Sequence, residues 1–147
     1  MSGPVMAAIN RIVTSEDLQI LVDAGFMAIS QNLLQQADGI FEAVQVVRPN
    51  QEAGHLGRAM VRMAASDFDA AVKMLKSAPD TNATRVFLGI AFIRQGDTIA
   101  GVEILQKLAS VEENTPFRKM AVETLAELQG TSHGDRIVAT ETGCDRP

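Results

Sequence analysis

The amino-acid sequence predicts an all-α protein made of helix-turn-helix repeats, and three observations support that class. The composition favours helix packing, because 46% of the 147 residues are hydrophobic while Trp and Tyr are missing and only six Phe occur. Ala, Val, Leu, Ile and Met therefore supply most of the apolar surface. Strand signals are few, since the sequence contains no long alternating β-branched run and no Asn-Gly hairpin turn. The third observation is an internal repeat.

The repeat emerges when three stretches of the sequence are aligned on their turn residues. Each contains a helical apolar run, a short turn and a second helical run; they span 21–50, 55–79 and 85–109. A small residue recurs in each second helix, at intervals of 34 and 30 residues: Ala37, Ala71 and Gly101. A helix-turn-helix unit of 34 residues has the period of the tetratricopeptide repeat. We therefore predict three such repeats, a C-terminal capping helix and a right-handed superhelical stack.

Small residues occupy inward positions of the predicted helices, most clearly in FLGIAFIRQGDTIAGVEIL, residues 87–105. Gly89 lies in the first helix of this stretch and Gly101 in the second, at places where a large apolar residue would suit a core. We expect the two helix backbones to cross in close contact there. A large side chain at Gly89, or at the related Gly25, is therefore predicted to destabilise the fold.

Start and stop signals define the remaining elements. The second helix of the second repeat is cut short by Pro79, which has no N–H to donate and disfavours helix in the residue before it. Ser15, followed by two acidic residues, opens the first helix. The sequence SAPDTNATR then serves as a loop and as a cap for the next helix.

The capping helix opens at Thr115-Pro116, and we expect it to end before Gly130. Repeat arrays need an end cap with a polar outer face, here predicted to contain Arg118, Lys119, Glu123 and Glu127. The expected organisation is an N-terminal segment with helical character, a single repeat domain with its cap, and a flexible tail: residues 1–14, 15–128 and 129–147.

Several functional classes are disfavoured by the sequence. A net charge of −5 argues against nucleic acid as a main partner. The two histidines, His55 and His133, have no cysteine or carboxylate cluster at metal-ligand spacing, and phosphate-binding loops and catalytic signatures are missing. Cys144, the single cysteine, is interpreted as an incidental thiol of the C-terminal stretch. We therefore predict no enzymatic activity, no metal and no cofactor.

Targeting and membrane signals are also missing. The N-terminus lacks a basic region followed by an apolar core, and no segment approaches the ~20 apolar residues that span a bilayer. We expect a cytoplasmic protein without direct membrane insertion.

The first helix of each repeat carries apolar residues that we assign to a concave groove. In a tetratricopeptide array this helix lines the inner surface, and the inward positions here are spaced four and then three residues apart. All nine are apolar: Val22, Phe26, Ile29, Leu56, Met60, Met63, Val86, Ile90 and Ile93. Periodic apolar residues are usually core, but these helices are apolar around more of their circumference than one buried side requires. An exposed groove and a core position are therefore the two alternatives.

Arg58 and Arg62 share one face of the first helix of the second repeat, because they are four residues apart. They are candidates for polar contacts with a partner; otherwise their stems cover the core while their charged heads reach water. In the repeat alignment used above, both arginines lie outside the groove. An alternative alignment with two extra turn residues would place both in the groove, and the sequence does not decide between the two alignments.

The expected occupant of the groove is an amphipathic helix of another protein. Tetratricopeptide co-chaperones that clamp a peptide carboxylate use Lys and Asn at inner positions where this chain has Val22 and Phe26. A carboxylate clamp is therefore disfavoured, and an apolar contact surface is predicted.

Four features of the repeats carry a family resemblance: the Leu56-x-Arg58 step, the Asp67-Phe68 turn followed by Ala71, the truncation at Pro79 and the FLGIAFIRQGD opening of the third repeat. Over roughly residues 15–128 the chain resembles the small three-repeat proteins of bacterial type III secretion systems, above all the needle-subunit chaperones. Short-repeat components of plant-pathogen secretion systems are similar too. The resemblance implies a cytoplasmic chaperone whose groove holds the C-terminal helix of a needle subunit, with a very small co-chaperone packed near the N-terminus.

The alternative hypothesis is a scaffold or adapter subunit of a secretion or other multiprotein complex. In that case the groove is filled by another subunit or by a second copy of the chain. A chaperone without its client is expected to self-associate or to be poorly soluble, whereas a self-filling scaffold is expected to form a stable closed oligomer alone.

Overall fold

A computed structural model describes the backbone of residues 3–144 and the side chains of residues 3–131 apart from Met6 and Asn10. Eight helices and no strand occur in this part of the chain. They are α1 Pro4–Ile12, α2 Ser15–Ser30, α3 Leu34–Val47, α4 Glu52–Ala64, α5 Phe68–Ser77, α6 Asn82–Gln95, α7 Thr98–Ala109 and α8 Pro116–Cys144. The all-α class and the helix-turn-helix order predicted from the sequence are confirmed.

The helices form two layers. From α2 to α7, each helix contacts the next one along the chain. The helices of the three repeats form three hairpins, α2–α3, α4–α5 and α6–α7. In addition α2 contacts α4, α4 contacts α6 and α6 contacts α8, so the first helices of the repeats and α8 form one continuous layer. Helices α3, α5 and α7 form the other layer, and α1 packs on α3. We call these the inner and the outer layer.

The three hairpin turns have the same backbone geometry. Their central residues, Asn32, Ser66 and Gly96, adopt left-handed conformations with φ of 60°, 61° and 107°. The next residue in each turn donates its N–H to a carbonyl five residues back: Leu33 to Ala28 at 2.8 Å, Asp67 to Arg62 at 2.8 Å and Asp97 to Phe92 at 2.9 Å. These bonds satisfy carbonyls at the end of the first helix. The three repeats therefore share the hydrogen bonds of their turns as well as the order of their helices.

The second helices differ in their N-terminal caps. Asp67 accepts a hydrogen bond from the backbone N–H of Ala70, and Asp97 accepts the same bond from Ala100, both at 3.2 Å. Leu33 occupies the related place before α3 with nearly the same φ and ψ, but its side chain makes no cap. The first hairpin therefore has the turn backbone of the other two without the side-chain acceptor.

The ring of Phe41 lies between two glycines. Phe41 is fully buried in α3, and it packs against Gly25 of α2 on one side and Gly57 of α4 on the other. A Cβ added at Gly25 would lie 2.6 Å from the ring, and a Cβ at Gly57 would overlap it even more closely. Both glycines are therefore required sterically, since any side chain would displace the ring from its slot.

The third hairpin confirms the close crossing predicted from Gly89 and Gly101. A Cβ at Gly101 would lie 2.5 Å from the carbonyl oxygen of Gly89, which is backbone and cannot rotate away. A Cβ at Gly89 would lie 2.9 Å from Leu105, a fully buried side chain of α7. Small residues at these positions allow α6 and α7 to approach at backbone distance.

Helix α5 is the shortest of the repeat helices, as Pro79 predicted. It has 10 residues and ends at Ser77, whereas α3 has 14 and α7 has 12. The loop after it is tied down by Thr81 and Thr84, which form a capping box at the start of α6. Thr81 Oγ1 also donates to Glu52 at the start of α4. These bonds join the loop to the inner layer.

Helix α8 begins as predicted and ends differently. Thr115 Oγ1 accepts a hydrogen bond from the N–H of Arg118 at 3.2 Å, so Thr115-Pro116 opens the helix. The expected end before Gly130 is wrong, because α8 continues to Cys144. A glycine inside a helix costs only about 1 kcal/mol relative to alanine, and it ends a helix only when it takes up a left-handed cap. Residues 145–147 of the predicted tail lie outside the described residues.

Substitutions at two glycines test the slot around Phe41. Gly57→Ala is expected to lower the free energy of unfolding by about 1–3 kcal/mol, because the new Cβ overlaps the ring. Gly39→Ala is the matched control, since it lies in α3 with nothing within 4 Å of its added Cβ. The control should gain about 0.5–1 kcal/mol from helix propensity. Urea midpoints measure both changes, and a rise for both variants would contradict the steric role of Gly57.

A missing cap can be supplied in the first hairpin. Leu33→Asp places an acceptor on a backbone that already matches those of Asp67 and Asp97, so it should stabilise the protein relative to Leu33→Ala by about 1 kcal/mol. The alanine variant removes the same half-exposed side chain without adding an acceptor. Thermal or urea unfolding distinguishes the two variants, and equal stabilities would mean that the carboxylate finds no N–H group at the start of α3.

Candidate functional site

The inner layer contains most of the residues predicted to form the groove, at different degrees of burial. Phe26 is 36% exposed, and a larger group is half-buried: Val22, Ile29, Leu56, Met60, Met63, Ile90 and Ile93. These side chains lie on α2, α4 and α6, which are the three consecutive repeat helices of the inner layer. None of these eight is fully buried, so an apolar inner surface remains available as a candidate binding site.

Val86 is a correction to the predicted groove. Its side chain has no exposed surface, and it packs in a buried cluster with Leu105 and Leu108 of α7 and Ala121 of α8. The capping helix covers this position, which sequence spacing treated as equivalent to Val22 and Leu56. Val86 is therefore a core residue and cannot contact a partner.

Several groove residues also contribute to the core. Val22 and Ile29 pack against the cluster that contains Phe41, whereas Leu56 and Met63 pack against the cluster around Leu75. These residues are therefore partly core, and that their exposed parts line a groove stays a prediction.

Phe26 and Met60 differ from these residues because neither belongs to a core cluster. The ring of Phe26 lies edge-on to that of Phe41, with 5.2 Å between the ring centres. Such an edge-to-face pair fixes the ring without burying it. Phe26 is the most exposed of the predicted groove residues, and Met60 is a half-buried residue outside the buried clusters.

The groove continues onto α8, which the sequence interpretation missed. A pocket of about 460 Å³ lies between α6 and α8, and it is lined by Ile90, Ile93, Arg94, Thr124, Glu127, Leu128 and Thr131. Glu127, predicted for the polar outer face of the cap, lies in this pocket instead. A usable signal existed, since Thr124, Leu128 and Thr131 are spaced four and then three residues apart, like the predicted groove positions of α6.

Arg58 and Arg62 face α3 and hence the outer layer. Arg58 Nε lies 3.2 Å from Asp38 Oδ1, and Arg62 Nη2 lies 3.3 Å from Asp38 Oδ2. Arg58 Nη1 also donates to Gln45 Oε1 at 3.4 Å. These contacts decide between the two alignments that the sequence left open, because both arginines turn away from Phe26 and Met60.

Two further properties concern the part of the chain that the structure describes. Three or more His, Cys, Asp or Glu side chains do not come together there in a group that could hold a metal ion. None of the helices found there is long and apolar enough to cross a membrane.

Comparisons with known proteins identify the fold. No protein-family model and no curated protein matches the sequence. Among solved structures, the type III secretion translocator chaperone SycD of Yersinia enterocolitica has a TM-score of 0.69 and 20% identity, over 88% of this chain and 99% of SycD. SycD in complex with a peptide of the translocator YopD has a TM-score of 0.65 and 16% identity, over 84% of this chain and 98% of that one. An alternative dimer of SycD also gives 0.65, with 18% identity over 84% and 97%. The chain therefore shares the all-helical, tetratricopeptide-like fold of a type III secretion translocator chaperone.

Proposed function

We propose that this protein is a chaperone that binds an apolar segment of a type III secretion client in the inner groove. The observation that carries the proposal is the partial exposure of apolar residues on three consecutive helices of the inner layer, Phe26 at 36% among them, together with the pocket between α6 and α8. The shared fold supports it, because SycD has been solved with a peptide of its translocator. We expect the protein to act in the cytoplasm, without enzymatic activity.

The groove suits an amphipathic helix better than a polar peptide. The residues predicted for the groove are apolar on each of α2, α4 and α6, and the α6–α8 pocket adds the charged groups of Arg94 and Glu127. A bound helix would place apolar residues against Phe26 and Met60 and polar residues toward solvent. Each well-buried anchor contributes about 1.5–3 kcal/mol, so offsetting an association cost of about 4–15 kcal/mol takes roughly two to ten such contacts.

The client class is the finer part of the proposal. The sequence resemblance favours a needle-type subunit, with a small co-chaperone as a second partner, whereas the solved neighbours are translocator chaperones. Both kinds of client would offer an apolar segment that aggregates when unbound. Purified needle-type and translocator segments from the host system, compared in the same binding assay, test which class is held.

A self-associating scaffold is the second candidate, and one observation favours it. Helix α2, the first helix of the inner layer, has two strongly exposed apolar side chains. Ile20 is 67% exposed and Met27 is 61% exposed. No other described helix covers these side chains. A stable closed oligomer of the chain alone, which excludes the client, would support the scaffold and contradict the chaperone.

Co-expression tests the proposed function. The chain alone should aggregate or exchange between oligomers, and it should become monodisperse when expressed with its client, as measured by size-exclusion chromatography with light scattering. Mass spectrometry of the complex purified from the host identifies the bound segment. A chain that stays monodisperse alone and binds no secreted subunit would overturn the proposal.

A substitution in the groove separates binding from folding. Met60→Gln keeps the length of the side chain and removes no core contact, so the urea midpoint should change little. The binding free energy should weaken by about 2 kcal/mol, because the substitution removes an apolar contact from the centre of a desolvated interface. Lys107→Gln, at an exposed position of α7 in the outer layer, is the control and should leave the affinity unchanged.

Ile90→Gln is expected to behave differently from Met60→Gln. Ile90 packs against the buried cluster around Val86 as well as lining the α6–α8 pocket. Both the urea midpoint and the client affinity of Ile90→Gln should therefore fall. If Met60→Gln also lowered the urea midpoint, Met60 would be a core residue.

A further inference from the structure

A polar cleft lies in the outer layer between α3 and α5. No Cα atom of α3 lies within 8 Å of one in α5, although α4 contacts both helices. The gap leaves a cleft of about 280 Å³ with α4 at its base, and its lining residues come from all three helices: Gln45, His55, Arg58, Lys73, Met74 and Ser77. The cleft shares helix α4 with the proposed groove, but none of its lining residues is one of the nine predicted apolar groove residues.

The cleft is basic in a chain that is acidic overall. Two of its six lining residues, Arg58 and Lys73, carry a positive charge and none is acidic, whereas the whole chain carries a net charge of −5. The nearby Asp38 carboxylate is shared by Arg58 and Arg62. One carboxylate cannot neutralise two guanidinium groups, and the ammonium of Lys73 adds a further positive charge. The cleft therefore favours an anionic ligand.

The guanidinium of Arg58 is held in place for such a ligand. Its Nε donates to Asp38 at 3.2 Å and its Nη1 to Gln45 at 3.4 Å, which fixes the plane of the group and leaves the N–H groups of Nη2 for another acceptor. The imidazole of His55 is also fixed, because its Nε2 lies 2.8 Å from the carbonyl oxygen of Pro49, which only accepts. A pre-oriented guanidinium loses little freedom when it binds a carboxylate.

We propose that this cleft is a second binding site, for a glutamate or aspartate side chain in an acidic segment of a partner protein. The volume suits one side chain, and the half-buried Met74 offers an apolar wall for its methylene groups. The fixed guanidinium and the ammonium of Lys73 supply charge-assisted hydrogen bonds to the carboxylate. Because the cleft opens on the outer layer, it can be occupied whether or not the groove holds a client.

Nuclear magnetic resonance of the uniformly ¹⁵N-labelled full chain tests the proposal. The probe is a short Glu-rich peptide blocked at both ends, and its counterpart with Gln in place of every Glu is the control. The Glu peptide should give saturable shifts of the amide signals of α3, α4 and α5 around the cleft, weakened by added salt, and the Gln peptide should give none. No saturable shifts, or shifts scattered over all cationic surfaces, would overturn the proposal.

Variants of the cleft make the test specific. Lys73→Gln removes an exposed charge and no packing, and it should weaken the Glu peptide about tenfold. Lys119→Gln removes an equal charge from α8, where Lys119 is 75% exposed, and should leave the affinity unchanged. Arg58→Gln should abolish the shifts in protein whose urea midpoint shows that it is folded. Equal effects of Lys73→Gln and Lys119→Gln would overturn the proposal.

A titration with inorganic phosphate and acetate distinguishes a small-anion site from a peptide site. Under the proposal, both ions should shift the same signals only at far higher concentrations than the Glu peptide, because they lack the contacts of the peptide chain and of the side-chain stem. Ions that saturate the cleft as readily as the peptide would show a small-anion site and contradict the assignment to a partner protein.

Discussion

The contact between the ring of Phe41 and the glycines on either side fixes the arrangement of the first three repeat helices. Gly25 of α2 and Gly57 of α4 have no Cβ, so the ring of α3 enters between two helices of the other layer. A ring inserted in this way sets the distance between α2 and α4 and leaves no room for sliding. It also supports Phe26, whose ring leans edge-on against it in the groove. The width and the lining of the groove therefore depend on two residues without side chains.

The inner layer combines two duties that are usually separate. Its helices pack against the outer layer and against one another. Under the proposed function they also present apolar surface to a partner. Leu56 and Ile90 are examples. Part of each side chain packs against a buried cluster, and the rest is exposed to solvent. The consequence is that stability and binding are coupled at most groove positions, as interiors packed at crystal density transmit any change of volume. We expect the coupling to be weakest at Met60, which packs against none of the buried clusters.

The outer layer has a different character because α3 and α5 do not meet. The cleft between them is lined mainly by polar side chains, and the carboxylate of Asp38 binds both Arg58 and Arg62 on the α3 side of α4. The glycines of the inner layer act on the contact between the layers, since Gly25 and Gly57 leave room for Phe41 of α3 and Gly89 leaves room for Leu105 of α7.

The sequence by itself determined the local structure: the three hairpins, the truncation at Pro79, the start of α8 at Thr115-Pro116 and the close crossing at Gly89 and Gly101. These follow from periodicity, capping and the absence of a Cβ, which act within one hairpin. Only the packing of the helices shows that Val86 is core, that Arg58 faces α3, that α8 contributes Leu128 to a pocket beside Ile90 and Ile93, and that Gly130 does not end the helix. Each of these depends on which neighbouring helix covers a given face, and helix periodicity names the faces without saying what packs on them.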